Sequence, residues 1–304
     1  MSRHVEGRPL RPRVGFTLME MLVAMVLTLL LTVASLRTLR GTLLFVERGE
    51  RSMQARGVAR SSMSLIELDM QPVTASLGGT SAIEAASTTS VTLRTPVAMG
   101  VLCNASGVTA TISLMPTDSV QFASSIIAGV AYRTVAGEWT YLAGAPPVGV
   151  ANVGACAAPG VNVIALGAGV GASGAPAGSI MTLSATIPLG TKPGTLVLLY
   201  RRLRYDFAAS AVNPGQVALW RRSLDGATNV SVADVEIATP LTSGAGFQFY
   251  TGSARVPQST VPALNAIRGL ELVMLARSTS RARDNSAAAL TSVRTSMFFR
   301  NRLD

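Results

Sequence analysis

Residues 16–36 form an apolar run broken only by a few hydroxyl side chains and by one charge, Glu20. About twenty apolar residues are what a helix needs to cross a bilayer, so the run sets the chain's first element before any other feature is read. The carboxylate is the difficulty, because an acidic side chain inside a spanning helix costs about 3 kcal/mol. A secretory signal has a shorter apolar core followed by a small-residue cleavage site; "TVAS" near Ser35 offers such a site, but the run is too long. A plain anchor fits the length and leaves Glu20 without a purpose. A carboxylate in that position asks for a partner. The fifteen residues ahead of the run are basic, with Arg3, Arg8, Arg11 and Arg13 against Glu6, and have no apolar core of their own. Arg37, Arg40, Arg48, Arg51 and Arg56 follow closely on the other side, so counting positive charges does not choose an orientation.

"GFTLMEMLVAM" at residues 15–25 resembles the amino-terminal signature of type IV pilins and their pseudopilin relatives. The resemblance implies that prepilin peptidase cuts between Gly15 and Phe16 on the cytoplasmic side and that the new terminus, Phe16, is N-methylated. It also implies that Glu20, then the fifth residue, pairs with the α-amino group of a neighbouring subunit. On that footing residues 1–15 are a leader, 16–36 lie in the bacterial inner membrane as a single pass, and the rest is periplasmic until it enters a pilus or pseudopilus. The implied partners are other pilins and minor pilins, the peptidase and the inner membrane.

No proline occurs between Val14 and Gln71, and Ala55, Ala59, Met63, Ile66 and Met70 recur at helical spacing. The helix is therefore expected to continue over 37–71 with this stripe against a sheet, and to stop at Gln71 and Pro72. Gly41, Gly49 and Gly57 each cost about 1 kcal/mol relative to alanine, and mark places to bend or unwind. "ARSSMSLIELDMQP" is similar to the helix end of W-class minor pilins and of the J-class pseudopilin of type II secretion, which gives Asp69 a packing or capping role.

Beyond Pro72 the texture changes. The chain holds 28 Gly and 15 Pro among mostly Ala, Val and Leu apolar residues, which favours short strands over a helical bundle. "TTSVTLRT", "GVTATISLM", "VAYRTVAGEWTYL", "GSIMTLSATI", "GTLVLLYRRLRYDF" and "QVALWRRSL" read as strands, and the last two as a hairpin turning at Asn213, Pro214 and Gly215. "SVADVEIATPLTSGAGFQFYT", "IRGLELVMLARSTS" and "TSVRTSMFFRNRL" follow the order of the W-class minor pilin body. The expected fold is α+β: a long amino-terminal helix packed on an antiparallel sheet within a pilin-like, β-rich body over 73–304. The Gly/Ala/Pro-rich stretch 143–179 reads as a long loop region or an insertion with short strands. Cys103 and Cys156 either pair, closing a loop that stabilises by about 2 to 5 kcal/mol in an exported domain, or stand as buried free thiols.

Catalytic chemistry is poorly provided for. The only histidine is His4, inside the leader, so a Ser-His-Asp or Cys-His arrangement and most zinc sites lose their essential member. "GVGASG" at residues 169–174 satisfies G-x-G-x-x-G but runs into "APAGS" instead of a helix, so it lacks the context of a dinucleotide site. Asp118, Glu138, Asp206, Asp225, Asp234 and Glu236 read as solvated or salt-bridged surface acids. No cofactor, no metal and no enzymatic activity are expected. The net charge is +10, or +7 without the first fifteen residues, which hold four arginines and one glutamate. Lys192 is the only lysine. Arg201, Arg202 and Arg204 with Arg221 and Arg222 form a basic patch if their strands pair, which opens a nucleic-acid role; the aromatics near them, Tyr200, Tyr205 and Trp220, are too sparse for a stacking platform. The resemblance points to a minor pilin-like assembly subunit, with a J-like pseudopilin or a pilus-associated DNA-binding subunit as alternatives.

Overall fold

The computed structural model describes residues 17–73, 81–114, 118, 125–144, 147–151, 180–184, 186–188, 191–226, 228–277 and 290–299. One helix, α1 (Leu18–Met70), runs for 53 residues, about 80 Å at 1.5 Å per residue. Gly41, Gly49 and Gly57 do not interrupt it; a Cβ at any of them would meet nothing within 4 Å. The ladder closes where the sequence signals the end, with the Gln71 amide donating to the Glu67 carbonyl at 2.9 Å. Pro72 has no amide to extend it.

Thirteen strands follow among the described residues: β1 (Ile83–Ala86), β2 (Ser90–Ser106), β3 (Thr109–Leu114), β4 (Gly129–Arg133), β5 (Trp139–Ala143), β6 (Pro147–Ala151), β7 (Ile180–Leu183), β8 (Leu196–Ala209), β9 (Val217–Leu224), β10 (Ser231–Leu241), β11 (Gly246–Thr251), β12 (Ile267–Arg277) and β13 (Leu290–Phe298). Their pairings are antiparallel, and with the helix they make an α+β architecture. The main path is β11-β12-β10-β9-β8-β2-β3-β7-β6. The expected β8–β9 hairpin is present, Ala209 facing Val217 across the turn, with Gly215 at φ +80°, a left-handed conformation that glycine adopts without strain.

The long strands β2 and β8 pair from Ser90–Asp206 to Val101–Leu196 and run through two separate apolar cores. Pro96, a residue that cannot donate to a ladder, sits at the shift of register between residues 96 and 98 of β2, where its missing amide does least damage. In the near core, Ala59, Met63, Ile66 and Met70 of the helix pack with Phe249, Leu270, Leu272 and Met274. These are the four described members of the expected stripe; the side chain of Ala55 is not among those described. Each fully buried aliphatic side chain stabilises by about 1.5 to 3 kcal/mol. The far core holds Leu102, Ile112, Leu114, Val130, Met181 and Val197, contributed by β2, β3, β4, β7 and β8. Between the cores Tyr200 of β8 lies over Gly129 of β4 and donates to the Leu142 carbonyl at 2.8 Å. A Cβ on Gly129 would fall 2.4 Å from that hydroxyl, so glycine is what lets the ring close over the strand.

Candidate functional site

The amino-terminal end of α1 is built by its own sequence. Thr17 is the N-cap and Glu20 stands three residues on, the spacing of a capping box. The Glu20 amide donates to Thr17 Oγ1 at 3.3 Å, while the Thr17 amide donates to Glu20 Oε2 at 3.0 Å. The carboxylate thus turns back over the helix terminus, where partial positive charge from unpaired amides favours it. A shallow groove runs from it along Thr17, Val23, Ala24 and Leu27. Leu18, Met19, Met25, Leu29, Leu31 and Leu36 are all exposed, and Ala59 is the first buried residue among the described helix side chains. The helix is long and apolar enough to cross a membrane.

At its other end α1 is fixed to the sheet by a charge. Asp69 is 6% exposed and accepts from Arg201 Nη2 at 2.7 Å, from Arg221 Nε at 2.6 Å and from the Tyr205 hydroxyl. Burial first, and then the charge and hydrogen bond of Asp69, push the Tyr205 hydroxyl well above the usual tyrosine range. Burial works to lower the Arg221 guanidinium, but the hydrogen bond and charge of Asp69 outweigh it and the net shift is upward. The sequence singles out Asp69 only by resemblance. The available physical signal is its position beside Met70 on the last turn of an apolar stripe, opposite an arginine-rich hairpin.

The same geometry corrects the expectation of one basic patch. Strand pairing does bring the arginines together, with Arg204 opposite Arg222, but side chains alternate across a sheet. Arg201 and Arg221 face the helix and Asp69. On the opposite face Arg202 binds Glu84 (Nε to Oε2, 2.7 Å) and the carbonyls of Asp225 and Thr228. Arg204 and Arg222 share Asp206 at 3.3 and 2.8 Å, and Arg222 reaches Asp234 at 2.6 Å. Five guanidiniums are matched to carboxylates and stand on two faces. Trp220 carries the Arg222 guanidinium on its ring, 5.0 Å from the centroid, and so is not bare for a base to stack on.

No family model, curated protein or solved structure matches the chain. The functional reading therefore stands on residues and geometry. Cys103 is buried and disulfide-bonded; Cys156 lies outside the described residues. So do Gly15 and Phe16, His4, the 169–174 glycine tract and most of the 143–179 stretch, of which β6 is described. The acids expected at the surface act as anchors: Asp206 and Asp234 in the ladder above, Glu236 holding the β8–β9 turn through Ser210 Oγ (2.5 Å) and the Ala211 amide (2.9 Å). Among the described residues no cluster of three or more His, Cys, Asp or Glu side chains fits a metal ion.

Proposed function

We propose that the chain is a pilin-like assembly subunit, a minor pilin of the W class, cut after Gly15 and built into a filament or its initiating complex through α1. The inner membrane holds it until then, with the β-rich body on the periplasmic side. The observation that carries the reading is the contrast along one helix. Its carboxy-terminal turn is tied to the body by Asp69, whereas its apolar amino-terminal half is exposed among the described residues and begins at a carboxylate. A helix presented this way suits lipid first and like helices afterwards. Glu20 supports the second step: its carboxylate already lies over the helix terminus, close in sequence to the amine that cutting would release, and that of a neighbouring subunit is the charge it lacks. The J-like pseudopilin of type II secretion is the same assembly logic in another machine. A DNA-binding role has less support, because the hairpin arginines are already paired.

Two measurements test this. Mass spectrometry of the native amino terminus from cells with active prepilin peptidase is expected to find N-methylated Phe16; an intact leader overturns the reading. Glu20→Gln is the sharper substitution, because glutamine still closes a capping box while the charge is gone. It is expected to insert normally and lose copurification with other pilins. Undiminished copurification removes the charge pairing from the proposal.

A further inference from the structure

The far lobe carries a cleft that the assembly reading does not use. It lies between the β4–β5 turn and the loop leading into β8, with a volume of about 470 Å³, within the range of small-molecule sites. Tyr132, Pro188 and Leu196 give it an apolar lining, and its two charged lining residues are cations, Arg133 and Lys192. No carboxylate lines it among the described residues. Local hydrogen bonds hold the described residues on each side. On one side the Thr134 amide donates to the Glu138 carbonyl at 2.7 Å and Gly137 turns at φ +87°. Arg133 Nε donates to the Gly137 carbonyl at 3.1 Å, which fixes the guanidinium and leaves its Nη groups to donate elsewhere. On the other side the Thr191 hydroxyl donates to the Pro188 carbonyl and the Thr195 hydroxyl to the Lys192 carbonyl, at 2.9 and 2.6 Å. An apolar slot with two cations and, among the described residues, no acid is complementary to one kind of ligand. A guanidinium edge matches a planar or tetrahedral oxyanion, and an apolar body fills the slot.

We propose that this cleft binds a small organic anion with an aromatic or aliphatic body and a carboxylate or phosphate head. The inference is independent of the filament reading, and either can fail without the other. Lys192 makes it directly measurable, because it is the only lysine in the chain. The full chain in lipid nanodiscs is treated with sulfosuccinimidyl acetate, and acetylation of the Lys192 peptide is followed by mass spectrometry. The probes are phenylacetate and phenyl phosphate. The more effective of the two is expected to slow acetylation saturably, by about tenfold at roughly ten times its dissociation constant, and thereby identifies the head group. Phenylethanol, acetate and inorganic phosphate, each lacking half of the chemistry, are expected to protect little. Arg133→Gln, compared with its own unprotected rate, is expected to lose the protection. Absence of protection by both probes, equal protection by the bare ions, or full protection in Arg133→Gln overturns the proposal.

Discussion

Asp69 is the buried charge that ties the helix to the sheet. A buried carboxylate is tolerable only when its oxygens are met, and here two guanidiniums and a phenol meet them. Asp69→Asn keeps the shape and removes the charge. It is expected to destabilise the body by about 3 kcal/mol, at the low end for a broken buried pair because Arg201 and Arg221 keep some contact with water. Thermal unfolding of the variant against Glu67→Gln, an exposed change on the same turn expected to stay within about 0.5 kcal/mol, is the check. Tyr205 adds a pH dependence. Its folded-state value is raised, burial being the largest cause, so its contribution is complete below the unfolded value of about 10 and lost as pH rises from there toward the folded one. Stability is expected to decline above about pH 10, and Tyr205→Phe to make that decline shallower, leaving the smaller part due to Tyr200, which burial also raises. A decline unchanged by the substitution places the titrating group elsewhere.

At the scale of elements, the helix is legible because its strongest signals agree. The apolar run, the absence of proline and the stop at Pro72 all specify one element, and the structure has it from Leu18 to Met70, with a Thr17–Glu20 capping box at its start. Glycine propensity gave a weaker warning that did not materialise: three costs of about 1 kcal/mol are small against a ladder that runs unbroken on both sides of each. Most strands are legible one by one, since alternation and Gly, Pro and Asn punctuation mark them, and the β8–β9 hairpin is readable with its turn; β1 and β6 are too short and weakly patterned to stand out. What the sequence leaves hidden is long-range pairing. Nothing in "SVTLRTP" or "LVLLYRRLRYDF" states that β2 and β8 pair from Ser90–Asp206 to Val101–Leu196, nor that Glu84 meets Arg202 across 118 positions. The arginine patch failed for the same reason. Composition shows charge density and strand geometry says that neighbours alternate, but only the tertiary pairing shows which carboxylates stand on each face and that one of them comes from the helix.

Two cores strung on shared strands make the whole molecule an anchored half and an outer half. The near core is clamped to the helix and thereby to whatever holds the helix, while the far core is built from β3, β4, β7 and the distal parts of β2 and β8. Cys103 belongs to the far half, beside Leu102 in β2, and its disulfide is a cross-link of the kind that persists in oxidising compartments. Breaking it releases chain entropy in the unfolded state and is expected to cost about 2 to 5 kcal/mol. The two halves need not share that cost equally, because proteins open in local units whose free energies differ. Hydrogen exchange of Cys103→Ser is therefore expected to show protection in β3 and β7 falling by at least about tenfold, with β11 and β12 nearly unchanged. That outcome makes the outer half a separately opening unit carried on a rigid stalk, so that its cleft can change shape without loosening the helix from the body. An even loss of protection across all four strands means that β2 and β8 couple the cores into one cooperative block, and that any event at the cleft is felt at Asp69.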